Sequence, residues 1–336
     1  MTQESLMLDL PAQRQAEVIE PRDVELEKVH SWFLAQKDYE QRFGAIFRKS
    51  IDEVLDGQRT GRYDLYKAGQ GRVEKTEKTY LGTKVEIVAR EEFDLGYGKS
   101  MDYSISGTDV DAKWTMRDTW TIPKEAMGHI CLVMHADDRT RHFEVGLVRI
   151  TSELLNLGKN GDGKRTVSAP QKKRIRWIVE NGTLPRNFLL NLEKRDPEKL
   201  ADIFGASAGY RGSGNGGQRR VNSLFESVPG ELVDRTTVVT VARQDDGPKR
   251  ARDARKHLRS KGFVVLGHLQ PHPQIAADLG LPVPDKGSWV SARLAPVDDA
   301  DVRAAVVIGG HRYGLWREGD VCVQAPDIPT KRAESS

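Results

Sequence analysis

Residues 101–114, MDYSISGTDVDAKW, decide the fold of the first half of this 336-residue chain. Successive side chains of an extended strand point to opposite faces. The TDVDAKW part therefore predicts a strand with one charged face and one apolar face. The charged face carries Asp109, Asp111 and Lys113, and the apolar face carries Val110, Ala112 and Trp114. The apolar face can be buried in a core, which leaves the charges either solvated or available for chemistry.

A glycine-containing turn at residues 106–108 separates this strand from the alternating run MDYSI. Folding the two runs into a hairpin would bring Asp102 close to Asp111. Two carboxylates beside a lysine form the arrangement that a hard, oxygen-ligated cation such as Mg²⁺ requires. Lys113 would then be close enough to orient a water and to stabilise charge developing on a phosphate. The alternative is a charged hairpin face that is only solvated.

A helix is predicted immediately upstream, and it carries Glu86. Within residues 79–93, TYLGTKVEIVAREEF, apolar residues recur at helical spacing, and Glu86 lies beside that stripe. Arg90 follows four residues later, so an ordinary surface ion pair is the alternative role for Glu86. A helix with one Glu, followed by a hairpin with Asp and Asp-x-Lys, resembles the layout of metal-dependent nucleases with the PD-(D/E)xK signature.

Composition limits the class of protein. The chain is long enough for two domains, with 38% hydrophobic and 30% charged residues. No run of about 18 apolar residues is present, so we expect no membrane span. The first residues lack the basic-then-apolar order of a secretory signal. Of the two cysteines, Cys131 lies in the apolar run HICLVMHA and is expected to be a buried free thiol, whereas nothing is predicted for Cys322. A cytoplasmic location fits these features.

Basic residues are concentrated in the second half. The net charge is only +3, but residues 161–261 contain 22 Lys and Arg against 12 Asp and Glu. The excess of ten leaves about seven net negative charges on the rest of the chain. Phosphate contacts by Lys and Arg dominate nucleic-acid affinity, so the asymmetry favours a polyanion partner for this region. The alternative is a basic face that is only solvated.

The order of elements predicts an α/β protein with two domains. The elements before Ile150 indicate a mixed-sheet PD-(D/E)xK nuclease core that ends near that residue. They are the helical spacing from Val24 to about Leu55, the Glu86 helix, the hairpin and the apolar runs HICLVMHA and FEVGLVRI. The short piece SELLNL is predicted to be helical, and residues 158–174 read as a linker rich in Gly, Lys and Arg. We therefore expect a nuclease domain at 1–157, a linker at 158–174 and a second domain at 175–336.

The second domain opens with a basic helix-like piece, and a later part has the element order of a winged helix-turn-helix. The segments QRRVNSLFESV and RTTVVTVARQ predict two helices. The segment PKRARDARKHLRSK predicts a basic helix in the recognition position, and FVVLGH predicts a strand. Three later segments, WVSARLAPV, AAVVIGG and HRYGLW, would complete a small sheet. The candidate DNA contacts here are Gln244, Lys249, Arg250, Arg252, Arg255, Lys256 and Arg259.

Three other patterns carry weaker signals. Gly212, Gly214 and Gly217 match GxGxxG, but no strand precedes them, so a flexible loop is the better interpretation. The group His135, Asp137, Asp138 and His142 resembles a metal cluster, although solvated loop residues are favoured. Arg59 and Arg62 in GQRTGR are either DNA contacts near the active site or surface arginines.

Long stretches of the chain resemble the NaeI family of restriction endonucleases. The resemblance rests on segments in the family's order: LDGQRTGRYDL, KTEKTYLGTKVEI, MDYSISGTDVDAKW, MGHICLVMHADD, GQRRVNSLFESVPGELVDRTTVVTVARQDD and VLGHLQPHPQIAADLGLPVPDKG. It extends from about Asp52 to the last strands. By position, the family's catalytic places fall on Glu86, Asp102, Asp111 and Lys113. The first fifty residues, the insertion YKAGQGRVE, the linker and the loop around Gly212 depart from the family pattern.

The resemblance implies a Mg²⁺-dependent endonuclease that cuts both strands of DNA at a palindrome, with GCCGGC and a central blunt cut suggested. Asp102, Asp111, the carbonyl of Ala112 and Glu86 are the expected metal ligands, and Glu86 is either an outer-shell group or a ligand of a second metal. The resemblance also implies a homodimer, a second domain like that of the catabolite activator protein that binds a further copy of the site as an effector, and a cognate DNA methyltransferase in the same system. Two alternatives stay open: a winged-helix regulator with an inactive nuclease fold, and a DNA-relaxing enzyme resembling a topoisomerase.

Overall fold

The computed structural model describes residues 22–69, 71–209 and 215–330, and its first half is built on a five-stranded mixed sheet. The strands of this half are β1 (Tyr103–Ile105), β2 (Thr108–Thr115), β3 (Thr121–Ile122), β4 (Ile130–Asp137), β5 (His142–Arg149), β6 (Leu155–Lys159), β7 (Arg165–Val167) and β8 (Arg176–Thr183). The large sheet has the order β1-β2-β4-β5-β8, in which only β2 and β4 run parallel. The predicted mixed-sheet α/β architecture is confirmed for this half.

Helices pack on one face of this sheet. They are α1 (Val24–Leu34), α2 (Tyr39–Leu55) and α4 (Lys75–Phe93), whereas the short α3 (Gly57–Thr60) mainly contacts a helix of the second half, Arg235–Ala242. The alternation in β2 places Val110 in the core under these helices, with Ala112 and Trp114 packed against it, as predicted. The next strand alternates in the same way: Leu132 belongs to this core, whereas Cys131 belongs to a second apolar cluster on the opposite face.

The chain between residues 152 and 183 differs from expectation. The piece SELLNL is not helical but leads into β6, and the expected linker contains β7 and a 3₁₀ turn (Ala169–Arg174). The small strand β7 pairs with both β3 and β6. The basic helix-like piece that was to open the second domain is instead β8, which pairs with β5, so residues 176–183 belong to the first sheet. The physical reason is apolar burial, because Val167 and Ile175 fill the second cluster while Ile178 and Val179 join the main core.

The second half combines a group of helices with a small sheet. The helices are α5 (Phe188–Arg195), α6 (Pro197–Gly205), α7 (Gly216–Ser227), α8 (Arg235–Ala242), α9 (Gly247–Leu258) and α10 (His272–Asp278). The strands are β9 (Leu232–Asp234), β10 (Phe263–Leu266), β11 (Ser288–Pro296), β12 (Ala305–Ile308) and β13 (His311–Leu315). The sheet order is β10-β11-β13-β12, with β9 also paired to β11. The predicted succession of two helices, a basic helix and a strand is present as α7, α8, α9 and β10.

A polar junction joins the two halves. Arg48 of α2 lies 2.6 Å from Asp138, the residue that follows β4, and Asp138 also accepts a 3.0 Å hydrogen bond from the side-chain amide of Asn187. The same amide donates to the carbonyl of Tyr63 at 2.8 Å, and the Asn187 side-chain oxygen caps α5. Beside these groups lies a cavity of about 290 Å³ lined by residues from both halves. We call Arg48, Tyr63, Asp138 and Asn187 the junction.

Across the part of the chain that the structure describes, every helix is too short or too polar to cross a membrane.

Candidate active site

A tight hairpin brings the two predicted carboxylates together. Strands β1 and β2 pair with Tyr103 opposite Val110, and the turn between them has positive φ at both Ser106 (51°) and Gly107 (81°). Positive φ at both central residues is typical of the two-residue turn whose twist matches that of a hairpin. Asp102 therefore lies across from Asp111 and the start of the AKW run, and its Oδ2 accepts a 2.7 Å hydrogen bond from the Ala112 N–H.

Asp111 is held by two side chains. Lys113 Nζ lies 2.6 Å from Asp111 Oδ2 and donates a second hydrogen bond, 3.0 Å long, to the Ala112 carbonyl. Cys131 is aligned with Asp111 in the parallel pairing of β2 and β4, and its thiol donates to the same Oδ2 at 3.2 Å. Cys131 is a buried free thiol, as predicted, but its contact with the Asp111 carboxylate was not predicted. The strand register could have indicated it only once β4 was known to lie beside β2.

The environment of Asp102 makes ionisation of its carboxyl group less favourable than in water. Burial raises the pKa of this carboxyl to about 6, against the opposing effect of the Ala112 N–H. The nearby carboxylates of Asp111 and Glu86 contribute further to the rise. A positive charge placed between Asp102 and Asp111 would therefore stabilise the ionised pair.

Glu86 reaches the same region from α4. Its carboxylate accepts a 2.9 Å hydrogen bond from Arg90, so the ion pair expected from the helical spacing is present. Its backbone carbonyl accepts a 2.9 Å bond from the Tyr103 hydroxyl, which fixes this turn of α4 to β1. Glu86 is thus near Asp102 but is engaged by Arg90.

The oxygen groups fit a small site for a hard divalent cation. Mg²⁺ is usually bound through one or two carboxylates and keeps several waters. Asp102, Asp111 and the Ala112 carbonyl offer such a set. Among the described residues no group of three or more His, Cys, Asp or Glu side chains is arranged to hold a metal. Glu86 is therefore not gathered with the two aspartates into a ready-made cage.

Comparison with known proteins agrees with this geometry. The family described as "Restriction endonuclease NaeI" matches residues 27–324. The chain is also 38% identical over 332 residues to the Type II restriction enzyme NaeI of Lentzea aerocolonigenes, an alignment that covers 98% of this chain and 100% of that enzyme. The chain belongs to the NaeI restriction endonuclease family. It is therefore an enzyme of the site-specific deoxyribonuclease class, and the predicted family and enzyme class are confirmed.

The two candidate arginines of the GQRTGR segment have different surroundings. Arg59 is largely exposed and pairs with Asp56 at 2.5 Å. Arg62 is mostly buried: it pairs with Glu77 at 2.7 Å and donates to the carbonyls of Val54 and Leu55. Arg59 is thus exposed to solvent although it is paired, whereas Arg62 connects α2 to the start of α4.

The basic helix α9 divides its charged residues in a similar way. Lys249, Arg252 and Lys256 are exposed, whereas Arg250 pairs with Asp246 at 3.1 Å. Two further cations of the predicted set bind the protein itself. Arg255 donates to Val265 O at 2.8 Å and Arg259 to Ala325 O at 3.2 Å. Burial lowers the pKa of Arg255 to about 10, and the neighbouring Arg252 contributes. Gln244 packs against Gly217 of α7.

The weaker patterns have different outcomes. Asp138 is not a solvated loop residue as predicted, since it is only 2% exposed and its carboxylate binds Arg48 and Asn187. His135 and His142 lie with ring centroids 6.4 Å apart, but this group forms no metal site among the described residues. Gly212 and Gly214 lie outside the described residues, and Gly217 is in α7.

Asp109 has a role that the alternation did not indicate. It was expected to share the active face with Asp111, but its carboxylate accepts hydrogen bonds from the backbone N–H groups of Lys99 and Ser100 at 3.0–3.1 Å. These bonds lower the pKa of Asp109. The residue therefore fixes the loop that leads into β1, and so helps to place Asp102.

Proposed function

We propose that this NaeI-family chain is a Mg²⁺-dependent type II restriction endonuclease that hydrolyses both strands of DNA at a short GC-rich palindrome, with GCCGGC as the first sequence to test. The observation that carries the proposal is the convergence of Asp102, Asp111, the Ala112 carbonyl and Lys113 at one hairpin. Their distances of 2.6–3.0 Å leave the lysine beside the proposed cation ligands.

Each side chain has a definite task in the proposed reaction. Asp102 and Asp111 would hold the cation together with the Ala112 carbonyl. A bound divalent cation supplies Lewis-acid stabilisation of the charge on the scissile phosphate. Lys113, held in place by Asp111 and by its neighbouring carbonyl, would orient the attacking water and stabilise the negative charge that grows on the phosphate. Glu86 would act from outside the immediate ligand set.

The second half is proposed to be a winged helix-turn-helix unit that binds a second copy of the target as an effector. Support comes from the order α7, α8, α9 and β10 and from the exposed cations of α9. Because β8 belongs to the first sheet, we place the boundary between the two domains just before Asn187, which caps α5. Loading of the second domain would favour a cleavage-competent first domain.

The assembly and setting are also proposals. A palindromic target implies a two-fold dimer in which each active site cuts one strand. We further propose a cytoplasmic enzyme that acts beside a DNA methyltransferase of the same specificity. Among the alternatives, a regulator with an inactive nuclease fold is disfavoured by the intact Glu86, Asp102, Asp111 and Lys113 set. A relaxing enzyme needs a covalent linkage to DNA, and the sequence gives no independent signal for its nucleophile.

The proposal is tested with linear DNA carrying one GCCGGC site, incubated with the enzyme in Mg²⁺ or in EDTA. We expect two fragments with ends at the site in Mg²⁺ and intact DNA in EDTA. The Asp111→Ala variant should leave the DNA intact in both. Equal cleavage in EDTA would overturn the metal dependence, and fragments with ends elsewhere would overturn the target.

A further inference from the structure

Arg90 connects the helix of the active site to its hairpin. Its Nη2 donates to Glu86 Oε1 at 2.9 Å and to the backbone carbonyl of Asp102 at 3.2 Å. The two acceptors belong to different elements, α4 and the residue preceding β1. One guanidinium therefore sets both the direction of the Glu86 carboxylate and the distance between α4 and the chain at Asp102.

The surroundings of Arg90 differ from those of an ordinary helical ion pair. Its side chain is only 15% exposed, and its guanidinium lies over the rings of Tyr97 at 4.5 Å and Tyr103 at 5.4 Å. Tyr103 in turn donates to the Glu86 carbonyl. Exposed pairs of this spacing contribute little because both side chains are mobile. Here packing holds the guanidinium, so its geometry is imposed on Glu86.

The pairing of charges supports a role in the site. Lys113 compensates Asp111, and Arg90 compensates Glu86. Asp102 has the Ala112 N–H as its hydrogen-bond donor, and the charge of Glu86 adds to the repulsion that it experiences. Without Arg90, Glu86 would be an uncompensated carboxylate free to change its position next to Asp102.

We propose that Arg90 is a positioning residue of the active site, which orients Glu86 and the backbone of Asp102 for binding of the catalytic cation. This inference rests on the proposed metal-dependent nuclease function. The two N–H groups of Nη2 lie in the guanidinium plane and point in fixed directions, which a freely rotating ammonium group does not reproduce. Substitution of groups that orient metal ligands typically costs about 10–100-fold in metal affinity or activity.

The decisive variant is Arg90→Lys, because it keeps the positive charge but removes the planar group whose Nη2 serves both acceptors. If Arg90 acted through its charge alone, the Arg90→Lys variant would bind cations as tightly as the wild type. The Arg90→Gln variant would then bind cations more tightly, since a nearby positive charge is lost. A positioning role predicts instead that both variants bind the cation more weakly.

Arg42→Lys is a matched control. Arg42 also bonds a carboxylate and a backbone carbonyl, both of Glu92 near the end of α4, and its guanidinium lies 4.2 Å from the ring centroid of Phe93. It therefore has the same kinds of contact without reaching the active-site carboxylates.

The experiment uses the full-length chain and two readouts. Ca²⁺ binding is measured by calorimetry without DNA, and the cleavage rate is measured against Mg²⁺ concentration at saturating DNA. For Arg90→Lys we expect about 10-fold weaker Ca²⁺ binding and a lower kcat with little change in the KM for DNA. Arg42→Lys should match the wild type in both readouts, and melting temperatures of the two variants should be similar.

A third measurement applies if Arg90→Lys is less stable than its control. The third measurement compares the rate loss caused by Arg90→Lys in two enzymes, the wild type and a Glu86→Gln variant. The loss should be at least about threefold smaller in the Glu86→Gln variant, because much of the effect of Arg90 passes through Glu86. Equal costs in both backgrounds, or Arg90→Lys within about twofold of wild type in Ca²⁺ affinity, would overturn the inference. A wild-type chain that binds no Ca²⁺ and needs no Mg²⁺ would instead overturn the proposed function.

Discussion

Asp111 receives both of its side-chain donors on one oxygen. Lys113, two residues along β2, and Cys131, on the neighbouring β4, both reach Oδ2. Charge-assisted hydrogen bonds of this kind are stronger than neutral ones and fix the carboxylate in one orientation. The position of Lys113 is determined by the same contact, so the two residues act as one unit.

The first prediction follows from this unit. Lys113→Ala should reduce cleavage by about 100- to 1000-fold, the usual cost of removing one group that stabilises transition-state charge. DNA binding, measured in Ca²⁺ by gel shift, should change little, and Asp111→Ala should behave in the same way.

Lys84→Ala is the control, since Lys84 is also a lysine of the first half but pairs with Glu53 of α2 at 2.6 Å. It should cleave at the wild-type rate. If the Lys113→Ala enzyme cleaved within about threefold of the wild-type rate, Lys113 would have no part in the mechanism, because removal of a group that stabilises transition-state charge costs far more than that.

At the scale of elements, α9 is both a structural helix and a charged surface. Ala251, Ala254 and Leu258 face the core, and the guanidinium of Arg255 binds the neighbouring strand β10. Only part of its positive charge is therefore available to a nucleic acid. The residues that remain exposed are Lys249, Arg252 and Lys256.

The second prediction concerns these three residues. Replacing all three with Gln should weaken DNA binding by the second half and reduce the slope of log K against log salt by about three units, one for each lost phosphate contact. The melting temperature should stay near that of the wild type. Arg255→Gln should show the opposite pattern, a lower melting temperature with a smaller change in slope. An unchanged slope in the triple variant would place the DNA surface elsewhere.

His272, at the start of α10, makes the second half sensitive to acid. Its Nδ1 accepts the Gly267 N–H at 3.1 Å, so the ring is neutral with its proton on Nε2, which donates to Ile328 O at 3.2 Å. Burial, and then the charge of Arg255, lower the pKa of His272 to about 4 from its ordinary 6.5. The unfolded chain therefore binds a proton at a pH where the folded chain does not. Stability is fully present above about pH 6.5 and is lost as the pH falls towards 4.

The third prediction is the resulting pH dependence. Between pH 7 and pH 5 the wild type should lose about 2 kcal/mol more unfolding free energy than His272→Asn, which keeps an acceptor but does not titrate. Denaturant unfolding at the two pH values gives this difference. His268→Asn, at an exposed position, is the control and should follow the wild type. Parallel losses in wild type and His272→Asn would show that this ring does not govern the acid response.

Local pattern predicted the hairpin better than it predicted the sheet. The alternation in β2 and the glycine turn depend on neighbouring residues, so Asp102, Asp111 and Lys113 were correctly placed. By contrast, β8 depends on its pairing with β5, more than 25 residues earlier, and its own segment was interpreted as a basic helix-like piece. Cys131 and Arg90 act through contacts between elements, and those depend on a register that no single segment contains.

At the scale of the whole molecule, the junction provides a physical connection between the two halves. In the pairing of β2 with β4, Cys131 of β4 lies beside Asp111. The same strand β4 ends next to Asp138, which binds Arg48 and Asn187. A displacement of α5 relative to the sheet would therefore disturb a buried carboxylate at the end of β4, the strand beside Asp111. Buried polar groups of this kind are costly to leave unpaired, so the junction should favour discrete arrangements.

The fourth prediction tests the junction as the route of the proposed effector response. Asn187→Ser keeps an acceptor for the cap of α5 but removes the amide that binds Asp138 and Tyr63. We expect the stimulation of cleavage by cognate duplex to fall by about fivefold or more, a factor that corresponds to the lower end of typical coupling free energies. The rate of unstimulated cleavage should change by less than about twofold. Asn156→Ser, which removes an amide bonded to Thr166 on the small β3-β7-β6 sheet, should leave stimulation intact. Full stimulation in Asn187→Ser would exclude the junction from the response.

The most direct test of the account as a whole is the cleavage of a supercoiled plasmid with a single GCCGGC site in Mg²⁺, followed over time with and without a short duplex carrying that sequence. The account predicts slow conversion to linear DNA with both ends at the site, faster conversion when the cognate duplex is added, and no acceleration by a duplex with an altered site. Relaxed closed circles without ends, or inhibition by the cognate duplex at every concentration, would contradict it.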